Sequence, residues 1–245
     1  MKRRIFLLIN TIILLTFISV NAFSQGQNTT QGREFWVSIG KNTWYSPTDA
    51  ALVLQVRIVA PKATTVTFNF TNIGTTRTFS LAAGGILTYE LTSAEKTAVY
   101  SDATGTTNKS LHITSTEDVT IYAINLCVNS SDATHILPVT SYGIEYYHLS
   151  YMCWSVMNLG GAGEGYTVVA IENGTTVQDN GITVATLNRG EVYTRYFGYT
   201  DQTGKKITSN KPIAYFVTNA SARVLNSTEY ADNLYEQMSP IRAGR

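Results

Sequence analysis

The feature that most narrows the fold is a strand-and-turn order that occurs twice. In the first half of the chain an apolar stretch, Val53–Val59, leads to Thr64-Thr65-Val66. The glycine turn Leu81-Ala82-Ala83-Gly84-Gly85-Ile86 follows, then Ile113-Thr114-Ser115 and Val119-Thr120-Ile121-Tyr122-Ala123. The second half returns to this order with Val168-Val169-Ala170-Ile171, Thr175-Thr176-Val177 and Leu187-Asn188-Arg189-Gly190-Glu191-Val192. Lys206-Ile207-Thr208-Ser209 and Pro212-Ile213-Ala214-Tyr215-Phe216 complete it. One supersecondary module used twice explains a shared order better than chance likeness between strands.

Local periodicity says what that module is made of. In Thr65–Phe70 the apolar residues Val66, Phe68 and Phe70 alternate with polar ones, placing them on one face of a strand. Val119–Cys127 is apolar on both faces, as a central strand would be. Asn173-Gly174, Asn180-Gly181, Arg189-Gly190 and Thr203-Gly204 mark turns between further strand-like runs, and helical periodicity is almost absent. The expected fold is all-β, an antiparallel β-sandwich built from two similar repeated modules. The expected organisation is a signal peptide over 1–24, an N-terminal segment over 25–48 and a first β-module over 49–140. An aromatic and Gly-rich connection over 141–165 and a second β-module over 166–245 follow, the completeness of the last left open.

The first two dozen residues point to export. Lys2, Arg3 and Arg4 form a positive start, Ile5–Val20 is apolar with few interruptions, and Val20-Asn21-Ala22 or Ala22-Phe23-Ser24 supplies small residues at cleavage spacing. An uncleaved anchor is the rival reading, but the run is short for a membrane span and a cleavage site follows at once. The net charge of +1 falls to −2 once Lys2, Arg3 and Arg4 are removed. With 14% charged residues, such a chain has no electrostatic footprint for nucleic acid or an anionic membrane. Cys127 and Cys153 are the two cysteines. In an exported chain they suggest a disulfide worth about 3 kcal/mol, with two buried free thiols as the alternative. His112, His135 and His148 make no close-spaced zinc set with them, and no cofactor is expected.

Several segments together resemble one family. Gln31-Gly32-Arg33-Glu34-Phe35-Trp36-Val37 is similar to the Gly-x-Asp/Glu-Phe-Trp opening of the IgGFc-binding protein N-terminal domain family. His112–Ser115 and Val119–Ala123 are similar to two of its strands. Ser130–Thr134 with Leu137-Pro138-Val139 is similar to its central signature. Gly143–Tyr147, Asn188–Tyr193, Lys211–Ala214 and Glu236-Gln237-Met238-Ser239-Pro240 continue the likeness in order. The resemblance implies an exported binding or adhesion module of a Bacteroidetes type, without enzymatic activity, meeting a glycoprotein such as mucin or immunoglobulin Fc. Members of the family usually continue beyond the last motif, so the resemblance also implies a C-terminally truncated or short variant.

The candidate contact residues are aromatic. Tyr142, Tyr146, Tyr147, Tyr151 and Trp154 crowd one stretch, where flat rings with polar tips suit sugar stacking and protein interfaces, or else fill a core. Asp132 and His135 lie in a run of small polar residues that reads as a turn; calcium would need more carboxylates than this one. Glu145, Glu164, Glu172 and Glu191 could supply glycosidase carboxyls, but none has a catalytic setting in the sequence. Binding at the cell surface or outside the cell is therefore the expected role. A structural module of a surface assembly and a carbohydrate-active enzyme are the alternatives.

Overall fold

The computed structural model describes residues 30–154, 162–224 and 230–241. The expected signal peptide over 1–24, and Gly160 and Gly161 of the glycine-rich run, lie outside the described residues. The first half of the chain supplies β1 (Gly32–Val37), β2 (Ile39–Gly40), β3 (Val53–Ala60), β4 (Thr64–Phe70), β5 (Thr75–Leu81) and β6 (Gly85–Glu90). A short helix α1 (Ser93–Val99), β7 (Tyr100–Ser101), β8 (Gly105–Thr107), β9 (Leu111–Cys127) and β10 (Ser130–Ile136) follow. The second half supplies β11 (Gly143–Tyr147), β12 (Glu164–Ala170), β13 (Thr175–Asp179), β14 (Ile182–Leu187), β15 (Val192–Gly198), β16 (Lys206–Ala222) and β17 (Asp232–Gln237). The protein is all-β apart from single short helical turns.

Each half is organised around one strand of 17 residues, β9 in the first and β16 in the second. The first part of β9 pairs with β1 and β4, its second part with β3 and β10. The first part of β16 pairs with β11 and β13, its second part with β12 and β17. In both, the pairing changes partner across a corner, Thr116–Asp118 in β9 and Asn210–Pro212 in β16. Pro212 has no N–H to give a ladder and suits such a break. Two further antiparallel pairings are copies as well, β4 with β5 as β13 with β14 and β3 with β6 as β12 with β15, while the parallel β2–β7 pair and the β8–β15 pair stand outside the repeat.

The register repeats too. Val66 lies opposite Ser115, and Val177 opposite Ser209. Val59 lies opposite Ile86 and Thr120, and Val169 opposite Val192 and Ala214. Gly84 and Gly190 both adopt positive φ and close the same turn, each N–H donating at 2.8 Å to the carbonyl of Ala60 or Ala170. One equivalence extends beyond the repeat read in the sequence. Gly32-Arg33-Glu34-Phe35-Trp36 and Gly143-Ile144-Glu145-Tyr146-Tyr147 occupy the same place beside β9 and β16, each with its bulge between the glycine and the glutamate. The duplicated unit thus includes its leading Gly-x-Glu-aromatic-aromatic strand.

The modules share one apolar layer. Val169, Val192, Ala214, Phe216 and Tyr235, on the outer face of the second sheet, pack into the same cluster as Phe35, Val56, Phe68 and Ile121 of the first. β8 adds to the edge of the second sheet through β15. Residues 129–135, read as a loop of small polar residues, instead form most of β10, hydrogen-bonded along β9 after a turn at Val128–Asn129. Pairing with a long buried strand overrides the turn preference of Ser, Asp and Thr there.

Candidate functional site

In the two modules, the same interior positions hold different chemistry. Where the first has Val37, Leu54 and Ile121, all fully buried, the second has His148, Glu164 and Tyr215. His148 Nδ1 and the Tyr215 hydroxyl are 2.6 Å apart, and His148 Nε2 meets Glu164 Oε1. Burial raises the Glu164 carboxyl above the usual carboxylate range, with the His148 hydrogen bond opposing that rise. A second layer replaces Val56, Phe68, Tyr89 and Leu111 by Tyr166, Asp179, Arg195 and Lys205. Asp179 accepts from Arg195 at 2.9 Å, from Lys205 at 3.1 Å and from Tyr166 at 3.3 Å. Both cations also lie over the Phe197 ring. The His148–Glu164–Tyr215 cluster is sealed from solvent, so it braces the second module from inside.

The accessible chemistry lies on the other side of β11. Period-two alternation turns Tyr146 and His148 inward and Ile144, Glu145 and Tyr147 toward the surface region. The bulge before Glu145 breaks strict alternation and lets Ile144 and Glu145 both reach one cleft. This cleft has a volume of about 330 Å³ and is lined by Ile144, Glu145, Thr176, Gln178, Thr208, Ser209 and Asn210. Its lining is mostly uncharged and rich in hydroxyl and amide groups. Glu145 pairs with Lys206 at 2.9 Å, and that hydrogen bond holds the Lys206 ammonium above its ordinary value. Tyr147 stands two residues along the same strand from Glu145, opposite Lys206.

The structure separates the five aromatic candidates. Tyr142 and Tyr146 are core residues. The Tyr142 hydroxyl accepts from Trp36 N–H at 3.1 Å, while the Tyr146 hydroxyl donates to the Ile213 carbonyl at 2.7 Å. Burial raises both phenols well above the ordinary tyrosine value. Tyr147 and Tyr151 are exposed, and half-buried Trp154 has the Arg223 guanidinium 4.7 Å from its ring centre. Tyr147 adjoins the cleft; Tyr151 and Trp154 belong to the segment that follows.

Of the two readings of the cysteines, the structure has the second: both thiols are free and buried. Cys127 Sγ is engaged by Asn42 Oδ1 at 3.2 Å, and Cys153 forms a bridge with Ala222 and packs on Ala220. Burial pushes the Cys153 thiol up to about 11 and also raises Cys127, so neither is poised as a thiolate. Asp132 uses its carboxylate to accept the Ala133 and Tyr235 N–H groups, both at 2.8 Å. The four glutamates lie in unlike settings: Glu145 on the cleft, Glu164 in the interior, Glu172 paired with Lys211 on the surface, and Glu191 accepting the Asn188 N–H. Among the described residues, no three His, Cys, Asp or Glu side chains gather as a metal site. None of the described helices is long and apolar enough to cross a membrane.

Residues 132–243 match the family model described as IgGFc binding protein. The matched span runs from within β10 to beyond β17 and contains every residue of the cleft and all five aromatic candidates. The likeness seen at Gly32–Val37 and His112–Ala123 lies before the match. No curated protein matches the chain, and no solved structure matches it.

Proposed function

We propose that the chain is an exported binding module and that its ligand contact is the cleft on the second module, with Tyr147 at its edge. The observation that carries this reading is the lining. Thr176, Gln178, Thr208, Ser209 and Asn210 offer hydroxyl and amide groups around the single aliphatic side chain of Ile144, in a surface cleft rather than a sealed core. Such a mixture suits the hydroxyls and ring faces of glycans, and a tyrosine beside it supplies a stacking surface. The family match supports binding as the class of function, since the matched family is a binding domain. The positive, apolar and small-residue order of the first 24 residues supports export to the cell surface or beyond.

The partner in this reading is a glycoprotein, with mucin and immunoglobulin Fc the first to test. A glycosidase reading needs two carboxyl groups about 5 to 10 Å apart. Glu145 is the one carboxylate on the cleft lining, and Lys206 occupies it.

The test is saturable binding of the purified exported chain to immobilised mucin and to Fc, after a cooperative melt shows it folded. A double change, Tyr147→Ala with Gln178→Ala, should weaken binding at least tenfold without moving the melting temperature. No saturable binding by the folded chain to either ligand would favour a structural module of a surface assembly instead.

A further inference from the structure

The first module carries the second by a particular seam, and the strands and turn of that seam have a counterpart elsewhere that nothing among the described residues covers, with Ala133, Glu90 and Ala83 standing where Tyr235, Tyr196 and Arg189 make its side-chain bonds. After β1 the chain runs along the second module: the Tyr235 hydroxyl donates to the Ser38 carbonyl at 3.0 Å. The Lys41 N–H donates to the Tyr196 hydroxyl at 2.9 Å, and the Thr43 N–H to the Ala220 carbonyl at 2.7 Å. Gly40 lies so close to Thr218 that a Cβ there would stand 2.5 Å from the threonine Cβ. Above this seam the turn of the second module, Arg189-Gly190, closes on β1. Arg189 donates to Glu34 Oε1 at 2.8 Å and stacks over Trp36, and the Ser110 hydroxyl donates to the Gly190 carbonyl at 2.7 Å.

The equivalent segment after β11 is 149–154. The match is fixed by a buried asparagine in each long strand: Asn125 Nδ2 donates to the Gly40 carbonyl at 2.9 Å, and Asn219 Nδ2 to the Tyr151 carbonyl at 2.7 Å. Asn125 faces Leu54 and Asn219 faces Glu164 at the same step of their sheets. Leu149, Tyr151 and Met152 therefore stand where Ser38, Gly40 and Lys41 hold the second module. Leu149 and Met152 are each 57% exposed.

Among the described residues, the opposite surface is also present and uncovered. The outer face that the second module buries through Val169, Val192 and Phe216 corresponds on the first to Val59, Ile86 and Tyr122. Of these, Ile86 is 71% exposed and Tyr122 is 41% exposed. The turn above it, Ala82–Gly85, has the backbone of Asn188–Glu191, and a side chain at Gly84 would meet nothing within 4 Å. Among the described residues, a seat and the face that fits it thus lie uncovered on the two modules of one molecule.

We infer that copies of this chain associate head to tail, the outer face of the first module of one copy seating on segment 149–154 of the second module of another. The occupant is a second copy because the first module carries the same strands, turn and register as the module that fills the internal seam. The new contact is more apolar than the internal one. Ile124 and Leu126 stand where Thr218 and Ala220 meet Gly40 and Thr43, and they would face Tyr151, Met152 and Trp154. A contact between two different surfaces leaves a free face and a free seat after each addition, so the product is a series of oligomers, closing as a ring or running on as a filament, rather than a fixed two-fold dimer. This goes beyond the binding reading. Of the cleft residues, Thr176, Gln178 and Thr208 match Thr65, Thr67 and Thr114, but Glu145 and the neighbouring Tyr147 match Glu34 and Trp36, which the Arg189 turn covers in the internal seam, so association of copies and a ligand at that edge of the cleft would compete.

Sedimentation velocity of the full chain from about 1 to about 200 µM tests this. The expected result is a weight-average mass that climbs without a plateau at the dimer. Ile86→Glu spoils the face, and Leu149→Glu spoils the seat. Both sites are exposed, so each variant should melt as the unaltered chain does, and each alone should stay monomeric. Mixed in equal amounts they should form one heterodimer and nothing larger, since an intact face remains on one variant and an intact seat on the other. A monomer throughout the range overturns the inference, and so does self-association that survives either single change or a mixture that fails to pair. Glycoprotein binding by the monomeric variants is read separately, so failure of the cleft and failure of the seam are distinguishable.

Discussion

The two modules are built on one register and filled with opposite chemistry. Phe68 of the first and Asp179 of the second sit opposite Ile113 and Ile207, at the same step of β9 and β16. One is packed among Phe70, Phe79 and Tyr89, the other is held by Arg195, Lys205 and Tyr166. The fold survives this exchange because the polar atoms arrive as a set. A carboxylate alone at that depth would be strongly unfavourable, whereas a carboxylate with two cations and a phenol meets its hydrogen bonds. What the modules keep in common is what sets the backbone: the alternation, the glycine turns, the Gly-x-Glu bulge and the buried asparagine. The two fillings depend on different terms, one on packing and one on pairing.

Phe68→Ala against Asp179→Ala breaks the comparison most sharply. Removing the ring leaves a cavity in a dry core and should cost about 4 kcal/mol. Removing the carboxylate strands two cations that still reach solvent in part, which should cost about 2 kcal/mol. Chemical denaturation gives both numbers, and equal losses would mean the second interior is packed rather than paired. Next comes the seam. Gly40→Ala forces a methyl into Thr218 and should cost about 2 kcal/mol or more. Tyr151→Ala at the equivalent position of the monomer should change stability by less than about 0.5 kcal/mol. A large loss for Tyr151→Ala at low protein concentration would mean the second seam is already filled within the molecule.

What could be read before the structure follows the same division. Turn glycines and period-two runs are local, and they gave the duplicated module directly. The repeat of Gly32-Arg33-Glu34-Phe35-Trp36 in Gly143-Ile144-Glu145-Tyr146-Tyr147 was equally local; it is found once the repeat is extended upstream of its first apolar strand. The helix Ser93–Val99 also had a signal, the capping box of Thr92 with Glu95, both halves of which form. The polar interior had none. Asp179, Arg195 and Lys205 lie on different elements, and alternation alone would have put apolar residues at such inward positions. The cleft was hidden for a related reason, because β11, β13 and β16 assemble it only in the observed register. The aromatic cluster shows the limit within one segment: density of rings cannot tell Tyr146 from Tyr147, but the face each takes on β11 does.

A smaller effect sharpens the contrast at the clasp. Arg189→Ala removes both an ion pair with Glu34 and a ring contact with Trp36, and should cost about 1 kcal/mol. Lys206→Ala removes the exposed pair with Glu145 on the second module, where no turn closes on it among the described residues, and should change stability by less than about 0.5 kcal/mol. Thermal melts of the two variants in low and high salt check this, with the Lys206 variant showing the weaker response in stability.

The smallest expected effect is a difference in the sign of pH dependence. Burial lowers the His112 imidazole below its ordinary 6.5, with Glu34 opposing, so the unfolded chain takes that proton more readily. Stability from His112 is therefore present above 6.5 and declines as pH falls through that value. Burial raises Glu164 above its ordinary 4.5, so here the folded chain holds the proton more tightly. Its contribution is complete below 4.5 and is lost as pH rises through the folded value. His148 and Tyr215 touch this carboxyl's cluster, and the nearby charge of Asp201 pushes it further in the same direction. His112→Gln should flatten the stability profile on the acid side of 6.5, and Glu164→Gln should remove a fall on the side rising from 4.5. If both variants flatten the same side, the two interiors do not differ in how they hold protons, and the contrast between a packed module and a paired one rests on Phe68 and Asp179 alone.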